Sequence, residues 1–147
     1  MQRRELLALA GLAAAAGVPT ALGQKETRAR LIHIYATPDG ESHADIVDIT
    51  NNNGEIPVTG MTARVYERND SNAEEWHTAP RKQFAINMTG TLEVELSDGK
   101  RQAIGQGDLV YLEDINGKGH VTRVTSPVTN LFIHVPQDWD MMAWVKA

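Results

Sequence analysis

The sequence predicts an all-β chain closed into one barrel or sandwich. Short β-rich runs alternate with turn clusters through most of the 147 residues. No long stretch keeps a helical period. Turn signals recur about every 8–12 residues, the spacing of sandwiches and barrels. The length suits a single domain sharing one core. Apolar residues make up 41% of the chain, too many for disorder by composition.

The expected strands follow in order. Leu31–Ala36 is the first, closed by the turn residues Pro38, Asp39 and Gly40. Residues 44–50 form the second, before Asn51, Asn52, Asn53 and Gly54. In residues 61–68, Met61, Ala63 and Val65 alternate with Thr62, Arg64 and Tyr66, and an acidic loop over 69–75 follows. Gln83–Thr89 turns at Gly90 into residues 91–97, the clearest hairpin. There Leu92, Val94 and Leu96 face one way and Glu93 and Glu95 the other, a strand half-buried on one face. Asp98 and Gly99 make a tight turn before Arg101–Ile104. Leu109–Leu112, residues 120–125 and residues 131–135 complete the set, with 127–130 read as a turn. The tail 137–147 carries Trp139, Met141, Met142 and Trp144 at a spacing that predicts a short helix, packed on the barrel or on a partner subunit.

The N-terminus reads as export signal rather than fold. Arg3 and Arg4 precede an unbroken apolar run over 6–16. That run is too short for a bilayer core, which takes roughly 20 residues. Gly17 and Pro19 end it, and Ala21 and Gly23 place small residues before a cleavage site at Gln24. Residues 1–23 are therefore expected to be a cleaved signal peptide, 24–30 a polar tether and 31–147 the domain. A membrane-anchored helix is the alternative. The segment from Gln2 to Leu7 resembles a twin-arginine signal, with Gln2 where Ser or Thr usually stands. The expected location is the periplasm or outside the cell, without membrane association after cleavage.

Composition narrows the chemistry. There is no cysteine, which excludes disulfides, thiolate nucleophiles and sulfur-ligated metals. Net charge is −5 without a basic stripe after the N-terminus, so nucleic acid is not an expected partner.

One stretch concentrates functional residue types. Residues 76–90 read WHTAPRKQFAINMTG, and Gly107, Asp108 and His120 follow further on. These segments resemble the two motifs of the cupin family across residues 64–135. His77 takes the first histidine position, Ala79 stands in place of the second, Gln83 in place of the glutamate, and Gly90 matches the closing glycine. Gly107, Asp108 and His120 match the second motif, with Val124 where an Asn is usual and Glu113-Asp114 where a proline is usual. The chain also looks like a group of small cupins carrying WHxAPR and, later, GKGH.

The resemblance implies a single jelly-roll β-barrel of the RmlC-like kind, commonly a homodimer. It implies His77, Gln83 and His120 as ligands of one divalent metal (Zn, Ni, Fe or Mn), with His77 and His120 as catalytic residues. A metal-dependent enzyme of dioxygenase or isomerase type, acting on a small molecule inside the barrel, is the activity implied. A metal-free ligand-binding or sensory cupin is the alternative.

Physical chemistry favours the placement and weakens the metal. Alternate residues of a barrel strand point inward, which puts Gln83, Ala85 and Asn87 on one face and His120, Thr122 and Val124 on another. Two imidazoles with a neutral amide offer no charge to a dication, and the common iron site needs a carboxylate. Glu113 and Asp114 are candidates for it, expected to face outward. Without metal, the two histidines are hydrogen-bonded pocket residues able to act as general base. Arg81 and Lys82 are expected at the pocket mouth, where a guanidinium can fork around an anionic substrate group, and Asn87 lies deeper as a substrate contact. His33 reads as packed, His43 as surface, and His134 as facing away from Leu131, Ile133 and Val135.

Overall fold

The computed structural model describes residues 29–49, 54–69 and 74–147. The expected signal peptide, most of the tether, the Asn51–Asn53 turn and part of the acidic loop lie outside the described residues. Strands β1 (Leu31–Ala36), β2 (Ser42–Val47), β3 (Gly60–Tyr66), β4 (Gln83–Thr89), β5 (Leu92–Leu96), β6 (Arg101–Ile104), β7 (Leu109–Leu112), β8 (His120–Val124) and β9 (Val128–His134) precede one helix, α1 (Met141–Lys146).

Six strands form one sheet in the order β2-β1-β7-β4-β9-β3, and three form another in the order β6-β5-β8. The β1/β7 pair is parallel, and the other pairs are antiparallel. Chain neighbours in sequence are often not neighbours in the large sheet, as a jelly roll requires. The two sheets close on a shared interior. Ile32, Ile34, Ala85 and Val110 from one meet Leu92, Val94, Leu96, Ile104 and Val124 from the other.

The outer face of the large sheet is buried as well. Leu31, Phe84 and Tyr111 point out of the barrel and pack under Trp139, Met141, Trp144 and Val145. Asp140 caps α1 by accepting from the Ala143 amide at 3.0 Å, and the Trp144 indole donates to the Gly54 carbonyl at 2.9 Å. Of the two expected places for the tail, the barrel or a partner subunit, it takes the first: it covers its own sheet, with Met141 2% and Val145 1% exposed. Burial on both faces explains why β1, β4 and β7 lack the clean alternation of β5.

The last strand also differs from its expectation. Residues 128–130, read as turn, open β9, which pairs with β3 on one side and β4 on the other. A ladder on both edges outweighs the local turn preference of Thr129 and Asn130.

Asp108, the acid of the second motif, has a structural task. Its carboxylate accepts from Arg30 Nε at 3.0 Å and Nη2 at 2.5 Å, and from the Gly105 amide at 2.8 Å. Burial pushes its carboxyl up, but Arg30 and the Gly105 amide outweigh burial and hold it below the usual carboxylate range. The start of the domain is thereby clamped to the turn between β6 and β7. Among the described residues, no helix is long and apolar enough to cross a membrane.

Candidate functional site

A cavity of about 460 Å³ occupies the barrel interior, a size ordinary for small-molecule sites. His77, Gln83, Asn87 and His120 all line it, as does Arg81.

The two histidines meet through their backbones. The His77 amide donates to the His120 carbonyl at 3.0 Å, and the His120 amide to the His77 carbonyl at 2.9 Å. This short bridge ties the segment before β4 to the start of β8. It needs Gly119: a Cβ there would stand 2.1 Å from the His77 oxygen, and φ is +72°. The imidazole centroids lie 4.6 Å apart with ring planes at 58°.

Hydrogen bonds fix which ring nitrogen is free. His77 Nδ1 lies 2.9 Å from the Glu75 carbonyl, which can only accept. His120 Nδ1 lies 2.5 Å from Asp114 Oδ2. Each Nδ1 therefore carries the proton, and in the neutral ring the lone pair belongs to Nε2. Glu74 Oε2 lies 3.8 Å from His77 Nε2.

Asp114 departs from its expectation. It was expected to face outward, yet its side chain is 0% exposed and grips His120, whose own exposure is 6%. The chain turns it inward by closing the loop on β4's approach: the Ala79 amide donates to the Asp114 carbonyl at 3.1 Å. Glu113, its neighbour, faces the other way. It takes His33 Nε2 at 2.7 Å and Lys82 Nζ at 3.1 Å. The His33 hydrogen bond is the main reason its carboxyl is held below the usual range; burial opposes it and Lys82 assists. Lys82 is thus engaged away from the cavity, contrary to the expected place at its mouth. Arg81 stays at the cavity and donates to His134 Nδ1 at 3.0 Å.

The registers of β4, β9 and β3 arrange the cavity wall in rows. Gln83, His134 and Gly60 form one row, Ala85, Phe132 and Thr62 the next, and Asn87, Asn130 and Arg64 the third. Leu92, Val94, Ile104 and Val124 complete the cavity opposite. The inward alternation at Gln83, Ala85 and Asn87 was legible. Asp114 was a candidate only as an outward-facing carboxylate, and Asn130 and Arg64 were not singled out, although Arg64 already shared the alternating face of Thr62 and Tyr66.

The expected metal ligands His77, Gln83 and His120 share the cavity, and both imidazoles donate Nδ1–H away from Nε2, as metal-bound histidines do. The set still does not fit a resident dication. Two neutral imidazoles and the Gln83 amide bring no negative charge to a dication, and no three His, Cys, Asp or Glu side chains cluster for a metal among the described residues.

No family model matches the sequence, and no curated protein does. The two sheets form a jelly-roll-like β-barrel. The structure is similar to an RmlC-like cupin family protein with a double-stranded β-helix fold from Methanocaldococcus jannaschii, at 10% identity and a TM-score of 0.44, covering 78% of this chain and 86% of that one. It is also similar to a cupin-2 domain containing protein from Shewanella frigidimarina, at 17% identity and a TM-score of 0.41, covering 58% of this chain and 84% of that one.

Proposed function

We propose that this chain is an exported protein that binds a small molecule inside the barrel and accepts a proton from it at His120 Nε2, without a resident metal. The observation that carries the reading is the buried Asp114–His120 pair beside His77. A carboxylate on Nδ1–H orients the ring, fixes the tautomer and stabilises the imidazolium that forms when Nε2 takes the proton. An apolar interior would dispense with such groups, because burying them costs free energy. Protein isolated from its native host tests the proposal. The expected result is a chain beginning near Gln24, metal well below one equivalent, and small-molecule binding that His120→Leu weakens. One equivalent of bound metal would overturn the metal-free reading, and an intact Met1 would overturn export.

The same chain is proposed to pair with a second copy through β3. This strand is an edge of the large sheet, and its outward Met61 and Val65 are 56% and 67% exposed. Edge strands with free backbone groups and apolar side chains invite pairing. Sedimentation is expected to give a dimer that Met61→Lys with Val65→Lys converts to monomer. A wild-type monomer at high concentration would reject it.

A further inference from the structure

The cavity has a second polar end that the histidines do not use. Asn87, Asn130 and Arg64 lie side by side across β4, β9 and β3, four residues along β4 from Gln83, or about 13 Å at strand rise. Asn87 is 1% and Asn130 7% exposed. Asn87 Nδ2 donates to the Gly90 carbonyl at 2.9 Å, which fixes the orientation of its amide. The Oδ1 atoms of both asparagines accept no hydrogen bond, although each is buried. Buried acceptors of this kind ordinarily find a donor. Beside them Arg64 makes no ion pair among the described residues. Glu74, the acid lining the cavity, lies by His77 instead.

We infer that this row recognises a 2-hydroxy acid with an apolar substituent, an inference that rests on the reading of the cavity as a small-molecule site. The Arg64 fork takes the carboxylate, because a planar guanidinium matches two carboxylate oxygens. The hydroxyl on the adjacent carbon donates to the asparagine oxygens. A neutral hydroxyl suits them better than an ammonium, since this row has no acid to pair with a buried cation. The substituent then lies along Ala85, Phe132, Val94, Ile104 and Val124, pointing towards the histidines. The row thus sets which molecule enters, and the proton that His120 takes comes from a group at the far end of the substituent, about 13 Å from the row at strand rise.

Calorimetric titration of the protein with mandelate, phenylacetate and 1-phenylethanol tests the inference, with backbone amide shifts recorded alongside. Mandelate carries both groups, and each of the other two lacks one. Mandelate is expected to bind at least about tenfold tighter than either, because a site built for a polar group penalises its absence. Arg64→Leu is expected to bring mandelate down to the affinity of 1-phenylethanol, and Arg64→Lys to restore part of the difference. Arg64 is exposed, so neither substitution threatens folding. Equal binding of mandelate and 1-phenylethanol, or an Arg64→Leu variant that binds mandelate normally, overturns the ligand class and leaves the cavity reading standing. If none of the three moves the amides of cavity residues, the cavity reading falls and this inference with it.

Discussion

Gly119→Ala is expected to cost roughly 3–5 kcal/mol of stability, at the upper end of single substitutions, and to abolish small-molecule binding together with it. Two separate penalties meet at this residue. Its φ of +72° belongs to the left-handed region, where a Cβ costs about 1–2 kcal/mol. The added Cβ would also stand 2.1 Å from the His77 oxygen and 2.4 Å from its carbonyl carbon, both backbone atoms that no side-chain rotation can move aside. Relief requires the two chain segments to separate, which breaks the paired hydrogen bonds between His77 and His120. Because those bonds set the distance between the imidazoles, stability and site are lost by one movement. Denaturant unfolding and ligand titration of the same preparation check both halves. Gly99→Ala is the control: it shares a positive φ, +88°, but has nothing within 4 Å of the added Cβ. It should cost only the backbone share and bind normally. Equal losses in the two variants would mean that the close approach at Gly119 does not matter.

The contrast between these two glycines shows what the sequence could convey. Asp98-Gly99 is a local turn, and local chemistry is enough to place it. Gly119 was visible only as part of the GKGH segment, because the atom that demands glycine belongs to a residue more than forty positions earlier. The same division runs through the site. Gln83, Ala85 and Asn87 face inward by strand alternation alone, and the structure puts them there. Asp114 gave no such signal. It lies outside any strand, between Leu112 and the GKGH segment, so no period tells which of Glu113 and Asp114 turns in. The loop closes through the Ala79 amide, a contact set by tertiary structure. The tail shows the same limit in another form. Its apolar spacing predicted a helix, but not whether the apolar face would meet this barrel or another one. Packing against Phe84 and Tyr111 decides that, because those two large residues on the outer face need a cover. Burying one such side chain is worth about 1.5–3 kcal/mol.

Substitutions at Asp114 separate the structural share of the buried pair from its chemical share. Asp114→Ala leaves the His120 Nδ1–H without a partner in a site closed to water, and removing one member of a buried pair costs about 3–5 kcal/mol. That variant is expected to be strongly destabilised, so loss of function there would say little. Asp114→Asn is the informative change. The amide matches the carboxylate in shape, and its oxygen can still accept from Nδ1–H, so the loss should be near 1–2 kcal/mol, the difference between a charged and a neutral hydrogen bond. What it removes is the negative charge that stabilises an imidazolium. The amide can also present its N–H₂ to the ring, which reverses the tautomer and puts the proton on Nε2. Nitrogen-15 shifts of His120 read this directly: the wild-type ring should show Nδ1–H with a bare Nε2, and the asparagine variant a mixture or the opposite form. The variant should therefore keep its fold and its binding of the carboxylate end, while losing proton transfer at the histidine end by a factor of a hundred or more, the range typical of a single general base. If Asp114→Asn folds, keeps the wild-type tautomer and handles the proton unchanged, the pair is a packing device and His120 is not the acceptor.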